Sequence, residues 1–319
     1  MKQIQVSDIK GFKVGHTTDQ ENGTGCTVII CEQGAFAGVD VRGGGPATRE
    51  TDLLNPKNMV QQIHAVTLSG GSAFGLEASS GVMDYLSENG IGFDMKGIFI
   101  PIVCQASIFD CSLGNMKAYP HKIDGYNACM NIQENDLQGC VGAGTGASVG
   151  KFFGFDKAMK GGLGQAAFQI NDLQVGAIVS VNACGDVFYP NSNEPIATAY
   201  DCENKKHIIT EEAILAQAEE IVSSTGMNTT IGCIITNAKL DKAQMNKLAS
   251  MSHNAYAHCI HPVHTPNDGD TIFTMTTANV EANIDLVAIM AIKAMEQAIV
   301  NAATNATSLF GVPAYKDIR

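Results

Sequence analysis

The sequence predicts a layered α/β protein, because β-rich runs alternate with amphipathic helical segments along the 319-residue chain. The alternation is too irregular for a β/α barrel, in which strands and helices follow one another at a regular spacing. A hydrophobic content of 45%, 33 glycines and no tryptophan are typical of a compact soluble protein. A chain of this length can form one large α/β domain or two ordinary ones.

The N-terminal third is predicted to consist of strands and turns with one helix. The strands are assigned to the β-rich runs Thr24–Cys31, Gly34–Val41, His64–Leu68 and Ile98–Phe109. Ser72 follows the strand end at Ser69-Gly70-Gly71 and is predicted to be the N-cap of a helix that reaches about Ser87. Apolar side chains recur on one face of that helix, as expected for packing against a sheet.

The C-terminal part is predicted to alternate helix and strand. Thr210 is the expected cap of the first helix, and Asp241 with Gln244 forms a capping-box-like start for the second. Strands are predicted at Thr229–Ile235 and Thr271–Thr277. The last helix, Asn283–Thr304, is apolar nearly all round but contains charged residues, so we expect a buried helix rather than a membrane span.

Charge and cysteine content exclude several classes of function. With 20 basic and 32 acidic residues the net charge is −12, so neither a nucleic acid nor an anionic membrane is expected as a partner. The N-terminus lacks the apolar core of a signal peptide. The 10 cysteines are scattered and form no C-x-x-C pair, which excludes a zinc ribbon or a thioredoxin-type motif. We expect reduced thiols in a cytoplasmic protein, with no metal and no cofactor.

The stretch Gly226–Gly232 contains the chemically most informative junction. A polar, turn-prone segment ends at Asn228, and the predicted strand begins at Thr229. The simplest interpretation is a turn before a buried strand. An Asn-Thr junction there also suits self-cleavage, because the Thr229 hydroxyl can attack the preceding carbonyl and leave a chain that begins with threonine. The free α-amino group of that chain can then take the proton of the hydroxyl.

Two acids precede the next predicted strand. Asp268 and Asp270 flank Gly269 immediately before Thr271. An Asx turn is the structural interpretation. Two nearby carboxylates can also orient an amine or hydroxyl nucleophile and raise one another's pKa. Since Thr229 and this pair both stand at the heads of strands, a shared site at the strand ends is predicted.

The glycine-rich run Gly142–Lys151 suggests a nucleotide, but it does not fit a Walker A loop. Thr145 stands where the first glycine is needed and Phe152 where Ser or Thr is needed. Gly142, Gly144 and Ala147 match a dinucleotide fingerprint only loosely. The run could equally bring the backbone close to a reactive centre, with Lys151 projecting into it.

Two further groups are given structural interpretations. Ser72 fails the G-x-S-x-G nucleophile pattern because Phe74 replaces a glycine. Histidines that could suggest a metal site stand at His253, His258, His261 and His264. Their spacing does not match H-E-x-x-H, so they are interpreted as surface or packing residues.

An ordered series of motifs runs along nearly the whole chain. They are Val14-Gly15-His16, Gly45-Pro46-x-Thr48-Arg49-Glu50-Thr51-Asp52-Leu53-Leu54, Ser69-Gly70-Gly71-Ser72-Ala73-Phe74-Gly75-Leu76, Gly142-Ala143-Gly144-Thr145-Gly146-x-x-Val149-Gly150-Lys151, Asn182-Ala183-x-Gly185-Asp186, Asn228-Thr229-Thr230-Ile231-Gly232 and Pro262-Val263-His264-Thr265-x-x-Asp268-Gly269-Asp270-Thr271. Together they resemble the DmpA-like L-aminopeptidase/D-esterase family, which includes β-peptidyl aminopeptidases and nylon-oligomer hydrolases.

The resemblance implies a layered α-β-β-α sandwich of the N-terminal-nucleophile-hydrolase type, with two β-sheets packed between helical layers. It implies one catalytic domain over residues 1–319 that cleaves itself between Asn228 and Thr229. The products would be an α subunit of residues 1–228 and a β subunit of residues 229–319. A homo-oligomer, specifically a tetramer, is implied by the resemblance alone.

Functional roles also follow from the resemblance, residue by residue. Thr229 matches the nucleophile, Lys151 a lysine near it, and Asn182 the asparagine whose amide helps form the oxyanion hole. Asp268 and Asp270 match the acidic pair of the nylon-hydrolase branch, whereas the aminopeptidase branch has Ser and Glu at these positions.

The implied function is a self-processing amidohydrolase or aminopeptidase that acts on a small peptide, amide or ester through an acyl-enzyme at Thr229. Thr230 is a rival nucleophile. Two other functions are considered: a nucleotide-binding enzyme that uses the 142–151 loop, and a catalytically silent family member that acts in binding or assembly. The sequence does not specify whether the substrate is an α-peptide, a β-peptide, an amide oligomer or an ester.

Overall fold

A ten-stranded mixed sheet forms the centre of the computed structural model, which describes residues 1–132, 136–216 and 228–318. Its strands are Lys2–Ile4 (β1), Lys13–Asp19 (β2), Thr24–Val41 (β3), Ala47–Arg49 (β4), Gln62–Ser69 (β5), Val103–Ser107 (β6), Gly162–Ile170 (β7), Leu173–Asn182 (β8), Thr229–Ala238 (β9) and Thr271–Val280 (β10). The order across the sheet is β1-β7-β8-β9-β10-β3-β5-β6-β4, and β2 pairs with β3. The pairs β9–β10 and β5–β6 are parallel, and the other neighbours are antiparallel.

The sheet folds over so that its two halves pack face to face. The 18-residue strand β3 connects them, because residues 26–30 pair with β5 while residues 36–41 pair with β10. One buried cluster between the halves contains Ile231, Cys233 and Ile235 of β9 together with Ile29 of β3 and Val66 of β5. Alternate residues of a strand point to opposite faces, so each half has its other face free to receive helices.

Helices cover both outer faces of the folded sheet. On one side, α1 (Ala78–Glu88) and α2 (Lys122–Met130) share a buried cluster with β3. On the other, α4 (Lys242–Cys259) and α5 (Ile284–Asn305) pack on β7, β8 and β10. A short helix, α3 (Thr210–Ala216), precedes them in the chain. The layers therefore run α-β-β-α, as the family resemblance implies.

The last helix has the length and composition of a membrane span, but 67% of its most apolar window is buried inside the protein. Its buried face packs against α4 and the adjacent half of the sheet. This agrees with the expectation of a buried helix.

Short elements complete the fold. Two-residue or three-residue strands pair as Phe93–Asp94 with Phe99–Ile100, Ser148–Val149 with Met159–Lys160, Asp186–Phe188 with Pro195–Ala197 and Ile260–His261, and Ala199–Asp201 with Lys206–Ile208. The 3-10 helices are Val6–Asp8, Asp52–Leu54, Ser72–Glu77, Gly142–Gly144, Phe155–Lys157 and Tyr315–Asp317.

The prediction that Ser72 caps an α-helix was wrong. Ser72 has a positive φ of 54° and begins a 3-10 helix, and α-helix starts only at Ala78. The cause is the turn at Gly71, which is left-handed and whose N–H donates to Asp110 Oδ1 at 2.7 Å. Long-range anchoring by Asp110 thus overrides the local capping signal.

Other predicted boundaries also differ from the structure. The runs Thr24–Cys31 and Gly34–Val41, predicted as separate strands, form the single strand β3. The apolar run Ile98–Phe109 is two strands, Phe99–Ile100 and β6, because Pro101 between them cannot donate a ladder hydrogen bond. The helix predicted from Thr210 is described only to Ala216, and the rest of that prediction lies outside the described residues.

We expect Gly164→Ala to destabilise the fold. A Cβ at Gly164 would lie 1.9 Å from the carbonyl oxygen of Ala298 in α5, so the helix would have to move away from β7. Overpacking of this kind costs about 1–3 kcal/mol. The matched control is Gly176→Ala in β8, whose Cβ would meet the flexible end of Ile9 at 2.8 Å. Denaturant unfolding should show a clearly larger loss in the free energy of unfolding for Gly164→Ala than for Gly176→Ala. Equal losses in the two variants would contradict the close approach of β7 to α5.

Candidate active site

Three strand ends meet at one edge of the sheet and bring the predicted site residues together. Asn182 is the last residue of β8 and lies directly opposite Thr229, the first residue of antiparallel β9. Strand β10 runs parallel to β9, so the loop that carries Asp268 and Asp270 enters at the same edge. An isolated parallel bridge also joins Asn228 to Asp268.

The carbonyl oxygen of Asn228 accepts two hydrogen bonds. The hydroxyl Oγ1 of Thr229 donates to it at 2.5 Å, and the backbone N–H of Gly269 donates at 2.9 Å. Asn228 and Thr229 are only 4% and 5% exposed. A hydroxyl group and a backbone donor therefore converge, away from bulk solvent, on the peptide bond that the sequence singled out.

Lys151 and Asn182 form a buried pair beside this junction. Lys151 Nζ donates to Asn182 Oδ1 at 2.8 Å and to its carbonyl oxygen at 3.0 Å. Ser148 N–H also donates to Asn182 Oδ1, and Asn182 Nδ2 donates to the carbonyl of Phe109. These bonds fix the amide plane, and its NH₂ group has two hydrogens, so it can serve Phe109 and a second acceptor. Burial lowers the pKa of Lys151 to about 7, which makes the neutral amine accessible near neutral pH.

The two aspartates have different partners. Asp270 Oδ1 accepts the backbone N–H of Thr230 at 2.7 Å, which fixes the residue after the predicted nucleophile. Asp268 Oδ2 accepts the N–H of Thr265 at 2.7 Å, whereas its Oδ1 is buried without a partner among the described residues. Burial and the neighbouring charge of Asp270 raise the pKa of Asp268 to about 6. Asp270 thus has a structural contact with the backbone of β9, whereas Asp268 keeps one oxygen that can accept a further hydrogen bond.

His264 belongs to this network, which corrects its interpretation as a surface or packing histidine. Its Nδ1 lies 2.9 Å from Asp270 Oδ2, and its backbone N–H donates to the same oxygen at 3.1 Å. An ionised carboxylate only accepts, so Nδ1 carries the proton in this pair. The residue has a positive φ of 59°. The spacing of the histidines in the sequence did not indicate this contact. The contact between His264 and Asp270 depends on the conformation of the loop before β10.

The other three histidines have ordinary structural contacts. The ring of His253 is fully buried and lies 4.8 Å from that of His264, centroid to centroid. His258 pairs with Glu296, and His261 with the carbonyl of Ala257. Within the described ranges 1–132, 136–216 and 228–318, no group of three or more His, Cys, Asp or Glu residues could hold a metal ion.

The glycine-rich run is a close backbone approach rather than an open cradle. Residues 142–150 are all buried. A Cβ at Gly144 would lie 2.0 Å from the backbone nitrogen of Leu163, and one at Gly150 would lie 2.1 Å from that of Ala199. Gly150, the last residue of this stretch, immediately precedes Lys151. Of the two interpretations left open by the sequence, this close packing supports the one in which the run brings the backbone near a reactive centre.

Sequence reasoning did not single out Cys184, which also lies at the site. Burial is the main cause that raises its pKa to about 11, opposed by the charge of Lys151 and by a hydrogen-bonding interaction with the side chain of Asn228. The charge of Asp268 acts on the thiol as well. The only sequence signal is its place two residues after Asn182.

Comparison with known proteins identifies the family of the chain. The family model "Peptidase family S58" matches residues 5–316. An uncharacterized aminopeptidase of Mycobacterium leprae is 36% identical over 97% of this chain and 92% of its own length. A 6-aminohexanoate-oligomer endohydrolase of Paenarthrobacter ureafaciens is 32% identical over 86% of this chain and 75% of its own.

Solved structures show the same fold. The L-aminopeptidase D-Ala-esterase/amidase of Ochrobactrum anthropi, described as a variant of the Ntn hydrolase fold, superposes with a TM-score of 0.71 at 19% identity, over 95% of this chain and 86% of that one. A Burkholderia sp. beta-aminopeptidase gives a TM-score of 0.69 at 19% identity, over 98% and 92%.

These matches confirm the resemblance, the layered fold and the prediction of a hydrolase that acts on peptide or amide bonds. The individual roles of Thr229, Asn182, Lys151, Asp268 and Asp270 stay predictions. The family model covers nearly the whole chain, and relatives above 30% identity extend over most of it. The chain belongs to peptidase family S58.

Proposed function

We propose that the protein is a self-processing amidohydrolase of the aminopeptidase type in which Thr229 is the nucleophile. The observation that carries the proposal is the Asn228 carbonyl, which receives the Thr229 hydroxyl and the Gly269 N–H together. Cleavage there divides the single domain into residues 1–228 and 229–319. The convergence of Lys151, Asn182 and the two aspartates on this junction supports activity over a catalytically silent role.

Self-cleavage proceeds through an ester. Thr229 Oγ bonds to the carbonyl carbon of Asn228, and the C–N bond breaks as the nitrogen takes the hydroxyl proton. The Gly269 N–H stabilises the oxyanion that develops on the Asn228 oxygen, an effect typically worth about 3 kcal/mol per donor. Water then hydrolyses the ester, which leaves a carboxylate on Asn228 and a free hydroxyl and amino group on Thr229.

Substrate hydrolysis reuses the same atoms. The α-amino group of Thr229 takes the proton of Oγ as the hydroxyl attacks an amide or ester carbonyl. Asn182 donates its amide N–H to the oxyanion together with the Gly269 N–H, and Lys151 fixes the plane of the Asn182 amide. The leaving amine of an amide, or the leaving alcohol of an ester, takes the proton from the α-amino group, and water releases the acid from the acyl-enzyme.

The aspartates position the nucleophile. Asp270 fixes the start of β9 through the N–H of Thr230, and Asp268 fixes the loop before β10 by accepting the N–H of Thr265. The two relatives reported above suggest a short peptide or an oligoamide as substrate. A cytoplasmic location and a homo-oligomeric, tetrameric state stay predictions from the sequence and the family.

Thr229→Ala should abolish self-cleavage and turnover, because no hydroxyl then faces the Asn228 carbonyl. Denaturing electrophoresis should show one chain of 33.6 kDa. Thr230→Ala is the matched control: its hydroxyl is buried without a partner among the described residues, so the variant should still cleave. If Thr229→Ala still cleaves itself and Thr230→Ala does not, Thr230 is the nucleophile and the assignment of Thr229 is wrong.

Gly269→Ala should slow self-cleavage strongly. The new Cβ would lie 2.8 Å from Thr229 Oγ1 and 3.1 Å from the carbonyl oxygen of Gly45, so the hydroxyl or the loop has to shift. Loss of one oxyanion donor's alignment costs roughly 100- to 1,000-fold in rate. Gly45→Ala is the control, because its Cβ would meet nothing closer than 3.8 Å. A time course of the intact chain by mass spectrometry measures both rates, and similar rates would count against the Gly269 assignment.

His264→Gln should slow both self-cleavage and turnover, while His264→Asn should retain most of both. Asparagine tolerates the positive φ and can place an amide N–H where Nδ1 now donates to Asp270, whereas glutamine extends past it. A hydrogen bond to a charged group contributes about 1.5–3 kcal/mol, or roughly 10- to 100-fold in rate. Thermal melting of both variants separates a folding defect from loss of the Asp270 contact. Equal rates in the two variants would contradict the positioning role.

A further inference from the structure

The side chain of Asn228 fills the space beside the thiol of Cys184 and interacts with it. The charges of Lys151 and Asp268 act on the same thiol, and an isolated backbone bridge joins Asn228 to Asp268. The backbone of this wall is fixed, because Lys151 N–H donates to the Cys184 carbonyl at 3.1 Å. Cys184 and Asn228 are each 4% exposed, so neither side chain is open to solvent in the uncut chain.

We propose that this space becomes the acyl-side binding subsite of the cleaved enzyme, and that Cys184 is the specificity-determining wall that departure of Asn228 uncovers. The inference rests on the proposed function. The inference adds to the proposed function a binding subsite, the class of ligand it takes and a role for Cys184, which is not among the predicted catalytic residues.

The geometric argument is that one hydroxyl attacks two carbonyls in turn. Thr229 Oγ1 and the Gly269 N–H now bracket the carbonyl of Asn228. Self-cleavage and turnover each pass through an ester on Thr229 Oγ, so a substrate acyl group takes the place that the Asn228 acyl group holds in the first ester. Its acyl-side substituent then lies where the Cα and side chain of Asn228 lie, so Asn228 has to leave before turnover.

The chemistry of the walls indicates what fits there. Asp268 is 2% exposed, and its Oδ1 has no partner among the described residues, so the subsite contains a buried acceptor that a ligand can satisfy. The space accommodates a carboxamide side chain. We infer that the subsite takes acyl groups with a short, uncharged substituent that donates a hydrogen bond. Without such a donor the buried Asp268 oxygen would stay unpaired, and a bulky ring would be overpacked; either would cost binding free energy.

Thiol labelling tests whether cleavage uncovers Cys184. Wild-type protein and uncut Thr229→Ala are treated with methyl methanethiosulfonate, and modified cysteines are identified by peptide mass spectrometry. Cys184 should react at least roughly 10-fold faster in the cleaved protein, since reaction requires access to the thiolate. Cys202 is exposed and should react equally in both forms, and fully buried Cys233 should react in neither.

Activity provides a second readout of the labelling. Wild-type turnover should fall in parallel with Cys184 modification, and Cys184→Ala should retain its own initial rate after the same treatment. Equal labelling or equal protection of Cys184 in cleaved and uncut protein would overturn the proposal. Failure of the proposed function itself is distinct, because the wild-type chain would then show one intact mass and no N-terminal Thr229.

Substrate selection tests the ligand class. For p-nitroanilides of asparagine and phenylalanine, kcat/KM of the wild type should favour asparagine by roughly 10-fold or more. Cys184→Gly should narrow that ratio by enlarging the space, while Cys202→Gly should leave it unchanged. A wild-type preference for phenylalanine, or a ratio that is the same in Cys184→Gly, would contradict the assignment of this wall.

Discussion

The structure depends on one interaction, in which the carbonyl of Asn228 is held between the Thr229 hydroxyl and the Gly269 N–H. It requires β9 and β10 to be parallel neighbours, because only then do the head of one strand and the loop before the other meet at the same edge. Glycine at 269 permits the approach, since a Cβ there would meet the hydroxyl at 2.8 Å. The long crossover through α4 between these strands is the topological consequence of that parallel pairing.

The polar groups around the junction are buried. Burial shifts their pKa values, and the hydrogen bonds and charges between them offset part of the cost of burying them. Lys151 would be costly as an isolated buried cation, but its amine donates to both oxygens of Asn182 and its pKa falls to about 7. Asp268 is shifted the other way, to about 6, by burial and by Asp270. An amine and an acid whose pKa values both approach neutrality are suited to proton transfer at physiological pH. The same low-dielectric surroundings strengthen every hydrogen bond at the junction.

Part of this site could be predicted from the sequence and part could not. Thr229 and Asp268 both stand at strand heads, so a shared site was predicted from the strand pattern, but the parallel pairing that brings them together is visible only in the structure. Lys151 and Asn182 are 31 residues apart, and only the family resemblance connected them before the structure placed them 2.8 Å apart. The helix boundary at Ser72 was wrong because a left-handed turn at Gly71, anchored by distant Asp110, overrides local capping preference.

His264 and Cys184 show why local patterns miss site residues, since the contacts of both are made across loops whose conformation no periodicity encodes.

The role of Thr229 as nucleophile is tested most directly by the intact mass of the small subunit during turnover of a slowly hydrolysed ester. We expect a fragment that begins at Thr229 and transiently gains the mass of the acyl group, with the adduct on that residue. A full-length chain of 33.6 kDa that hydrolyses the ester at full rate, or an adduct on another residue, would contradict the central claim.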